Sequence, residues 1–375
     1  MQKRNKIDSS SMSKSAAMRI PRYLGLSKIS RSGGLIDLDF GYSGRLTKSV
    51  QVDDVGLDGL MQFLQPATPN KAAKSLKKPK NDMKKATSSL EKAGLLMRHE
   101  TPPARFKRYD RHLLFYHLAG AVPMTVQKSI SQSTVALIGM GGIGNWVSLG
   151  LIGAGLKRLK LIDFDRIELS NLTRQVLFNE SDVGKHKVEV AAERLAPKNR
   201  QTKIETILES VNDSKSLLRH LQGVDFVVLS ADRPAEIHDW VDEVCVREKI
   251  PYINIGYRDG EGVVGPLTVP GVTSCYQCFK PAPSQLKSND RAERQWERSV
   301  MEAFEERYQA PSFGPLNGLV SSIGVVEVLK YLGGFGVRDS LDTELRIDPL
   351  NLSIGKTKYK RDRKCWHCSK QKSAK

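Results

Sequence analysis

The sequence predicts an α/β protein in which a doubly wound sheet follows a small α+β module. Three observations support this. Residues 134–163 run strand, glycine-rich turn, helix, strand; the first 100 residues are distinctly basic; and two Cys-x-x-Cys pairs start ninety positions apart in the C-terminal half. With 375 residues, 39% of them hydrophobic, the chain can bury a large core, and at roughly 100–200 residues per domain it holds two or three domains. Five cysteines are too few for a disulfide-built secreted scaffold, and no apolar stretch precedes a small-residue cleavage site at the N-terminus. A reducing, cytoplasmic setting is therefore expected. Val135–Leu156 has no charge over 22 residues, but seven glycines and Asn145 break it up, so no membrane span is expected.

The net charge of +18 is concentrated at the ends. Residues 1–100 hold 19 basic and 9 acidic side chains, residues 356–375 hold nine and one, and residues 101–355 hold 31 of each. Basic ends on a neutral middle suit an acidic partner or nucleic acid. Solvated tails such as Lys71–Lys85 are the plainer alternative.

In chain order, residues 1–18 are expected to be a flexible basic end. The module is placed at residues 19–104. There Leu35, Asp37, Asp39 and Tyr42, then Val50–Val52, predict short strands. Leu57–Leu64 predicts a helix, Pro66–Lys80 a breaker within a Lys-rich linker over 66–86, and Ser88–Met97 a second helix with Gly94 near its end. Together these make a winged-helix-like module, a form that binds DNA or holds a peptide against a strand edge.

Thr134–Ile138 then reads as a buried strand, Asn145–Leu156 as a helix, and Leu159–Phe164 as a second strand carrying Asp163, nineteen positions beyond Gly144. Between them Gly139, Gly141, Gly142 and Gly144 allow a tight turn with close backbone approach. The helix start attracts phosphate, and Asp163 suits a ribose hydroxyl. Such a Rossmann-like unit most often serves a dehydrogenase, but the following residues point elsewhere. Asp165 is a further cofactor-binding candidate, and after it Asn171, Arg174, Gln175 and Lys187 crowd one loop-and-helix segment, a set able to hold a triphosphate and neutralise charge developing at its α-phosphate. Phe226–Leu229 is a further core strand, and Asp232 beyond its C-terminal end is placed to hold Mg2+. ATP with Mg2+ is expected.

In this order of motifs, residues 105–370 resemble the ThiF/MoeB/HesA adenylating family, relatives of the ubiquitin-activating enzymes. The resemblance implies Asp163 on the ribose, Asn171, Arg174, Gln175 and Lys187 on the phosphates, and Asp232 on Mg2+. It also implies a homodimer in which Arg111, within Arg108-Tyr109-Asp110-Arg111, reaches the ATP phosphates of the partner subunit. Asn171–Val190, Ser230–Tyr257, Gly265–Cys278, Arg108–Ala119 and the N-terminal module are most similar to the MccB-type branch, whose extra domain clamps a ribosomally made peptide. A precursor peptide is the partner so implied, in peptide-antibiotic biosynthesis. The basic ends favour an acidic, Glu-rich one.

Cys275-Tyr276-Gln277-Cys278 and Cys365-Trp366-His367-Cys368 are two thiolate pairs suited to one closed, tetrahedral, structural Zn2+ site. The family resemblance implies the same zinc. His367 is a weaker ligand candidate. Cys245, in an amphipathic stretch Glu236–Val246, is expected to be a buried packing residue. Phe279–Gly314, where thioester-forming family members carry their nucleophile, has no cysteine, and Ser288–Gln309 predicts a charged helix or lid. The expected reaction is adenylation of a carboxyl, with a Glu side chain ranked first, or of a terminal amide. Arg111, Arg174, Lys187 and the metal at Asp232 would assist departure of pyrophosphate, with no thioester step. The alternatives are an activator of a Gly-Gly-ended sulfur carrier and, behind it, a DNA-binding regulator; nucleic acid is the disfavoured partner. Residues 371–375 would be a basic tail.

Overall fold

The computed structural model describes residues 17–41, 48–280 and 311–369. The strand position Tyr42, the helix or lid expected over 288–309, the tail 371–375 and nearly all of the expected flexible end 1–18 lie outside the described residues. The chain divides into two compact units, Met1–Leu118 and Ala119–Lys375.

The first unit contains β1 (Met18–Arg19), β2 (Leu26–Ser32), β3 (Leu35–Phe40), β4 (Lys48–Val52), α1 (Asp54–Met61), α2 (Pro69–Ser75), α3 (Lys80–Lys92), β5 (Met97–Arg98) and α4 (Asp110–Leu118). Strands β2, β3 and β4 form an antiparallel sheet in that order, and β1 pairs with β5. Alternation explains β3: Ile36, Leu38 and Phe40 face a core with Leu60, Phe63, Leu95 and Leu96, while Asp37 and Asp39 face outward. Gly33 and Gly34 both have positive φ, 59° and 83°, the geometry of a tight hairpin turn between β2 and β3.

The expected linker is not one. Thr68 caps α2 by accepting from the Lys71 N–H at 3.1 Å, Pro69 occupies a first-turn position, and Ala72 and Ala73 are buried. Proline therefore starts a helix here instead of breaking one. The second expected helix also shifts: α3 begins at Lys80, with Met83, Thr87 and Leu90 turned inward, and the chain leaves it at Gly94, φ +70°. Met97 belongs to β5.

The second unit contains α5 (Pro123–Gln132), β6 (Thr134–Ile138), α6 (Gly142–Ala154), β7 (Arg158–Ile162), α7 (Lys187–Leu195), β8 (Lys203–Ile207), α8 (Ser214–His220), β9 (Phe226–Leu229), α9 (Ile237–Glu248), β10 (Tyr252–Arg258), β11 (Glu261–Thr268), α10 (Tyr276–Phe279), α11 (Gly314–Gly333), β12 (Thr343–Asp348) and β13 (Ser353–Lys358). Its eight-stranded sheet runs β13-β12-β11-β10-β9-β6-β7-β8. The five strands from β8 to β10 are parallel, and β10 to β13 pair antiparallel. Strand β6 is buried along its whole length, which is why it is apolar without alternation.

Strand order reverses between β6 and β9: β7 and β8 follow on one side of β6, and β9 and β10 lie on the other. In parallel sheets a crevice opens at the carboxyl ends of the strands at such a point. Gly139 follows β6 there, and Ser230 and Asp232 follow β9. Leu137→Ala, at a fully buried position of β6, is expected to destabilise the fold by about 2–5 kcal/mol. Denaturant unfolding of the variant checks this.

Candidate active site

The glycines of the turn after β6 serve different purposes. Gly139 has φ +96°, and a Cβ there would lie 2.7 Å from the Ala231 backbone nitrogen, so the turn can touch the end of β9 only as glycine. A side chain at Gly144 would strike the Gly139 carbonyl, and one at Gly142 would strike the Asn317 amide. Gly141 faces open space and is the N-cap of α6, with no side-chain cap. The first N–H groups of α6 are thus left for an anion.

Asp163 stands just past β7. It accepts from the Met140 N–H at 2.6 Å and from the Asp165 N–H at 2.7 Å. Burial raises its pKa above the usual carboxylate value, against the lowering effect of the Met140 N–H and of Lys187. Lys187, buried at the start of α7, is ion-paired to Asp165 at 2.7 Å. Asn171 lies in a short 3-10 turn, Leu169–Thr173, and its Oδ1 accepts from the Glu168 N–H at 3.2 Å, forming a capping box with Glu168. Arg174 donates from Nη1 to the Ser170 carbonyl at 2.9 Å. Gln175 is buried, and its Oε1 has no hydrogen-bond partner among the described residues. Asp232 is exposed beyond β9, where Ser230 Oγ donates to the Gly139 carbonyl at 2.9 Å. Arg111 is exposed on α4 in the first unit.

Two residues that sequence reasoning passed over complete this surface. Asn145 is fully buried. Its Nδ2 donates to the Met140 carbonyl at 2.9 Å and the Gly141 carbonyl at 3.0 Å, and its Oδ1 accepts from the Leu177 N–H at 3.0 Å. One amide thus joins the glycine turn to the segment bearing Asn171, Arg174 and Gln175. A polar residue inside a 22-residue uncharged stretch was the signal that could have found it. Asn317, in the first turns of α11, packs on Gly142, and its fully buried Oδ1 has no partner among the described residues. Nothing local in the sequence marks it.

The chemistry fits a nucleotide triphosphate. An uncapped helix start, the Asn317 amide and the Arg174 stem meet at the turn, Lys187 acts on Asp163 beside it, and the Gln175 amide next to Arg174 has unmet hydrogen-bonding capacity. The Gln175 amide, turned through half a revolution, presents N–H donors where Oε1 now lies. The Asp232 carboxylate is the donor that could hold Mg2+ here, since one or two carboxylates beside phosphates are an ordinary magnesium environment.

The four cysteines Cys275, Cys278, Cys365 and Cys368 converge. Their sulfurs all lie within 4.8 Å of one another, with Cys275–Cys278 at 3.7 Å, Cys275–Cys365 at 3.8 Å and Cys278–Cys368 at 3.5 Å. A tetrahedral Zn2+ with Zn–S bonds of about 2.3 Å needs S–S separations of about 3.8 Å, so the cluster fits zinc. Asp242, fully buried on α9, ties it to the sheet. It accepts from Tyr252 Oη at 2.6 Å and from the Tyr276 N–H at 3.1 Å, and its other oxygen is 3.4 Å from His367 Nε2. His367 is therefore a support for the cluster instead of a ligand. Burial raises the Asp242 carboxyl. Cys245 lies apart in the core, and burial pushes its thiol well above its ordinary value.

Residues 109–367 match the ThiF family. The chain belongs to the ThiF family. Among its relatives, the sulfur carrier protein ThiS adenylyltransferase of Escherichia coli (strain K12) is 29% identical over 229 residues, 61% of this chain and 82% of that protein. Among solved structures, E. coli MccB with MccA-N7isoASN is 31% identical at a TM-score of 0.75, covering 94% of this chain and 99% of that one. E. coli MccB with ATP is 30% identical at a TM-score of 0.72, with the same coverage. Membership places this chain among the ATP-dependent adenylyltransferases. No helix of the described residues is long and apolar enough to cross a membrane.

Two outcomes are expected from this geometry. Asn145→Ala leaves the Met140 and Gly141 carbonyls and the Leu177 N–H without their side-chain partner, and should weaken ATP binding while lowering stability by about 1–3 kcal/mol; calorimetric titration and denaturant unfolding read the two effects. The purified chain should carry one zinc ion by elemental analysis, and chelation should lower its thermal midpoint. A midpoint untouched by zinc loss counts against a structural site.

Proposed function

We propose that this enzyme uses MgATP to adenylate a ribosomally made precursor peptide, in peptide-antibiotic biosynthesis. One observation carries the reading. The ThiF match begins at residue 109, whereas the match to MccB covers 94% of this chain and 99% of that one, and so takes in most of the N-terminal unit as well. MccB is seen in complex with N-formylated MccA and with MccA-N7isoASN. A shared additional unit supports a shared class of substrate, a peptide held by the N-terminal module. Its net positive charge supports an acidic precursor, with a Glu side-chain carboxyl ahead of a terminal amide.

In the proposed mechanism the backbone from Gly139 to Gly144 receives the phosphates, with Asp163 on the ribose and Asn171, Gln175 and Lys187 along the triphosphate. An oxygen of the peptide carboxylate or amide attacks the α-phosphorus. A new P–O bond forms, the bond from the α-phosphorus to the bridging oxygen breaks, and pyrophosphate leaves with the electron pair. Arg174 and Lys187 neutralise the charge that builds up on the departing group. Mg2+ at Asp232 would supply the same electrostatic assistance. Arg111 is assigned to the phosphates of a second copy's ATP in a homodimer. The chemistry is alignment and charge stabilisation, and no side chain is needed as a covalent nucleophile. Consistent with this, four of the chain's five cysteines form the cluster and the fifth, Cys245, is buried, so no thiol is left for a thioester. Cysteines grouped as a candidate metal cluster, in a chain with too few for a disulfide framework, support a cytoplasmic setting.

A second reading, activation of a Gly-Gly-ended sulfur carrier, is favoured by the identity to the ThiS and molybdopterin-synthase adenylyltransferases of E. coli, 29% in each case. ATP–pyrophosphate exchange separates the two. Exchange stimulated by an acidic peptide supports the first, and exchange stimulated only by a Gly-Gly carrier replaces it. Arg174→Ala and Asp232→Ala should each lower exchange by about 100-fold or more without shifting the unfolding midpoint. Unchanged exchange in both variants rejects these site assignments.

A further inference from the structure

The strongest charge imbalance among the described residues lies far along the chain from the phosphate turn, on α2, α3 and their connection. Seven lysines and one acid, Asp82, fall between Lys71 and Lys85. The inward sides of these helices are spent on packing by Ala72, Ala73, Met83 and Thr87, and every one of the seven lysines is exposed. None forms an ion pair among the described residues. Five acids of the unit have other partners, Glu91 of α3 pairing with Arg98. Asp37 accepts from Gln51, Asp39 from Ser49, Asp53 caps α1 through the Gly56 N–H, and Asp54 pairs with Arg31. Concentrated positive charge left without internal compensation carries a self-repulsion that an external anion relieves.

The composition of the face narrows the anion. Residues 69–92 contain no arginine and no aromatic side chain. Sequence reading in DNA grooves leans on the arginine fork, and single-stranded nucleic acid is held by stacking on aromatic rings. A row of lysine point charges lacks both devices. It suits a flexible chain of carboxylates, each of which needs only a nearby ammonium and no fixed angle.

We propose that the outward face of α2, α3 and the turn between them is a docking surface for an acidic segment of the peptide substrate, outside the residue that is activated. This rests on the peptide-activating reading above and adds to it where, and by what chemistry, the substrate is first captured. Capture here is electrostatic: it raises the rate of encounter, tolerates sequence variation in the segment, and weakens as salt is added.

The test uses the full chain and a fluorescein-labelled peptide, Gly-Ser followed by eight glutamates, with binding read by anisotropy at low and physiological salt. A variant carrying Lys71→Ser, Lys74→Ser, Lys78→Ser and Lys84→Ser should bind it about tenfold more weakly, from the modest worth of four exposed ion pairs. A control of equal charge loss, with Lys128→Ser, Lys157→Ser, Lys203→Ser and Lys358→Ser, should bind it as the unmodified protein does, and unfolding midpoints confirm that both variants are folded. Equal weakening in the two variants would mean diffuse charge and would overturn the proposal. So would an oligothymidylate of the same charge that binds more tightly than the peptide and is lost in the first variant, because the face then serves nucleic acid. ATP–pyrophosphate exchange on the same proteins is a separate readout. Loss of peptide-dependent exchange with face-dependent glutamate binding intact removes the reading of the reaction and leaves the anion preference of the face standing.

Discussion

The glycine turn after β6 depends on one buried amide. Asn145 sits in the first turn of α6, where a charged residue would be too costly to bury and an apolar one would deprive the Met140 carbonyl and the Leu177 N–H of their side-chain partner, the Gly141 carbonyl keeping the backbone N–H of residue 145. Its two donated bonds hold the carbonyls of Met140 and Gly141, and its accepted bond holds the N–H of Leu177. Asp163 grips the same turn from the other side through the Met140 N–H. The turn is therefore clamped between β7 and the segment that carries Arg174 and Gln175. Catalysis by charge stabilisation needs donors already in place before the reaction, since dipoles that must reorganise contribute less.

The four-cysteine cluster does comparable work at a distance from the turn. It joins the segment after β11 to the last described residues, two stretches of chain ninety positions apart. Asp242 then links the cluster to β10 through Tyr252. A buried carboxylate is tolerated there because a hydroxyl, a backbone N–H and the His367 ring all face it. Removing the cluster would leave the C-terminal segment without this link to the sheet.

Much of the second unit was legible because its signals are local. A buried central strand is a continuous apolar run, a phosphate turn is a run of glycines, and a metal site shows as paired cysteines at fixed spacing. The first unit was less legible. Pro66–Lys80 reads as a linker because proline and lysine are what linkers contain, yet Pro69 stands at a position where its missing N–H costs nothing and Thr68 supplies the cap. The helix start at Lys80 was missed for a related reason. Its inward residues are Met83, Thr87 and Leu90, only two of them apolar, so the amphipathic pattern is faint beside so many lysines.

The amino-acid sequence alone determined the class of fold, the glycine turn with Asp163 past the next strand, and the two cysteine pairs that could hold a metal, because each is encoded within a few consecutive residues. Tertiary structure decided what those residues touch. Only the folded chain sets Asn317 of α11 against Gly142, across 175 positions of sequence. Only there does Asn171 emerge as a capping partner of Glu168, and Lys187 as the ion-pair partner of Asp165. Contacts between distant segments follow from how helices and strands pack, and no pattern of spacing along the chain carries that information.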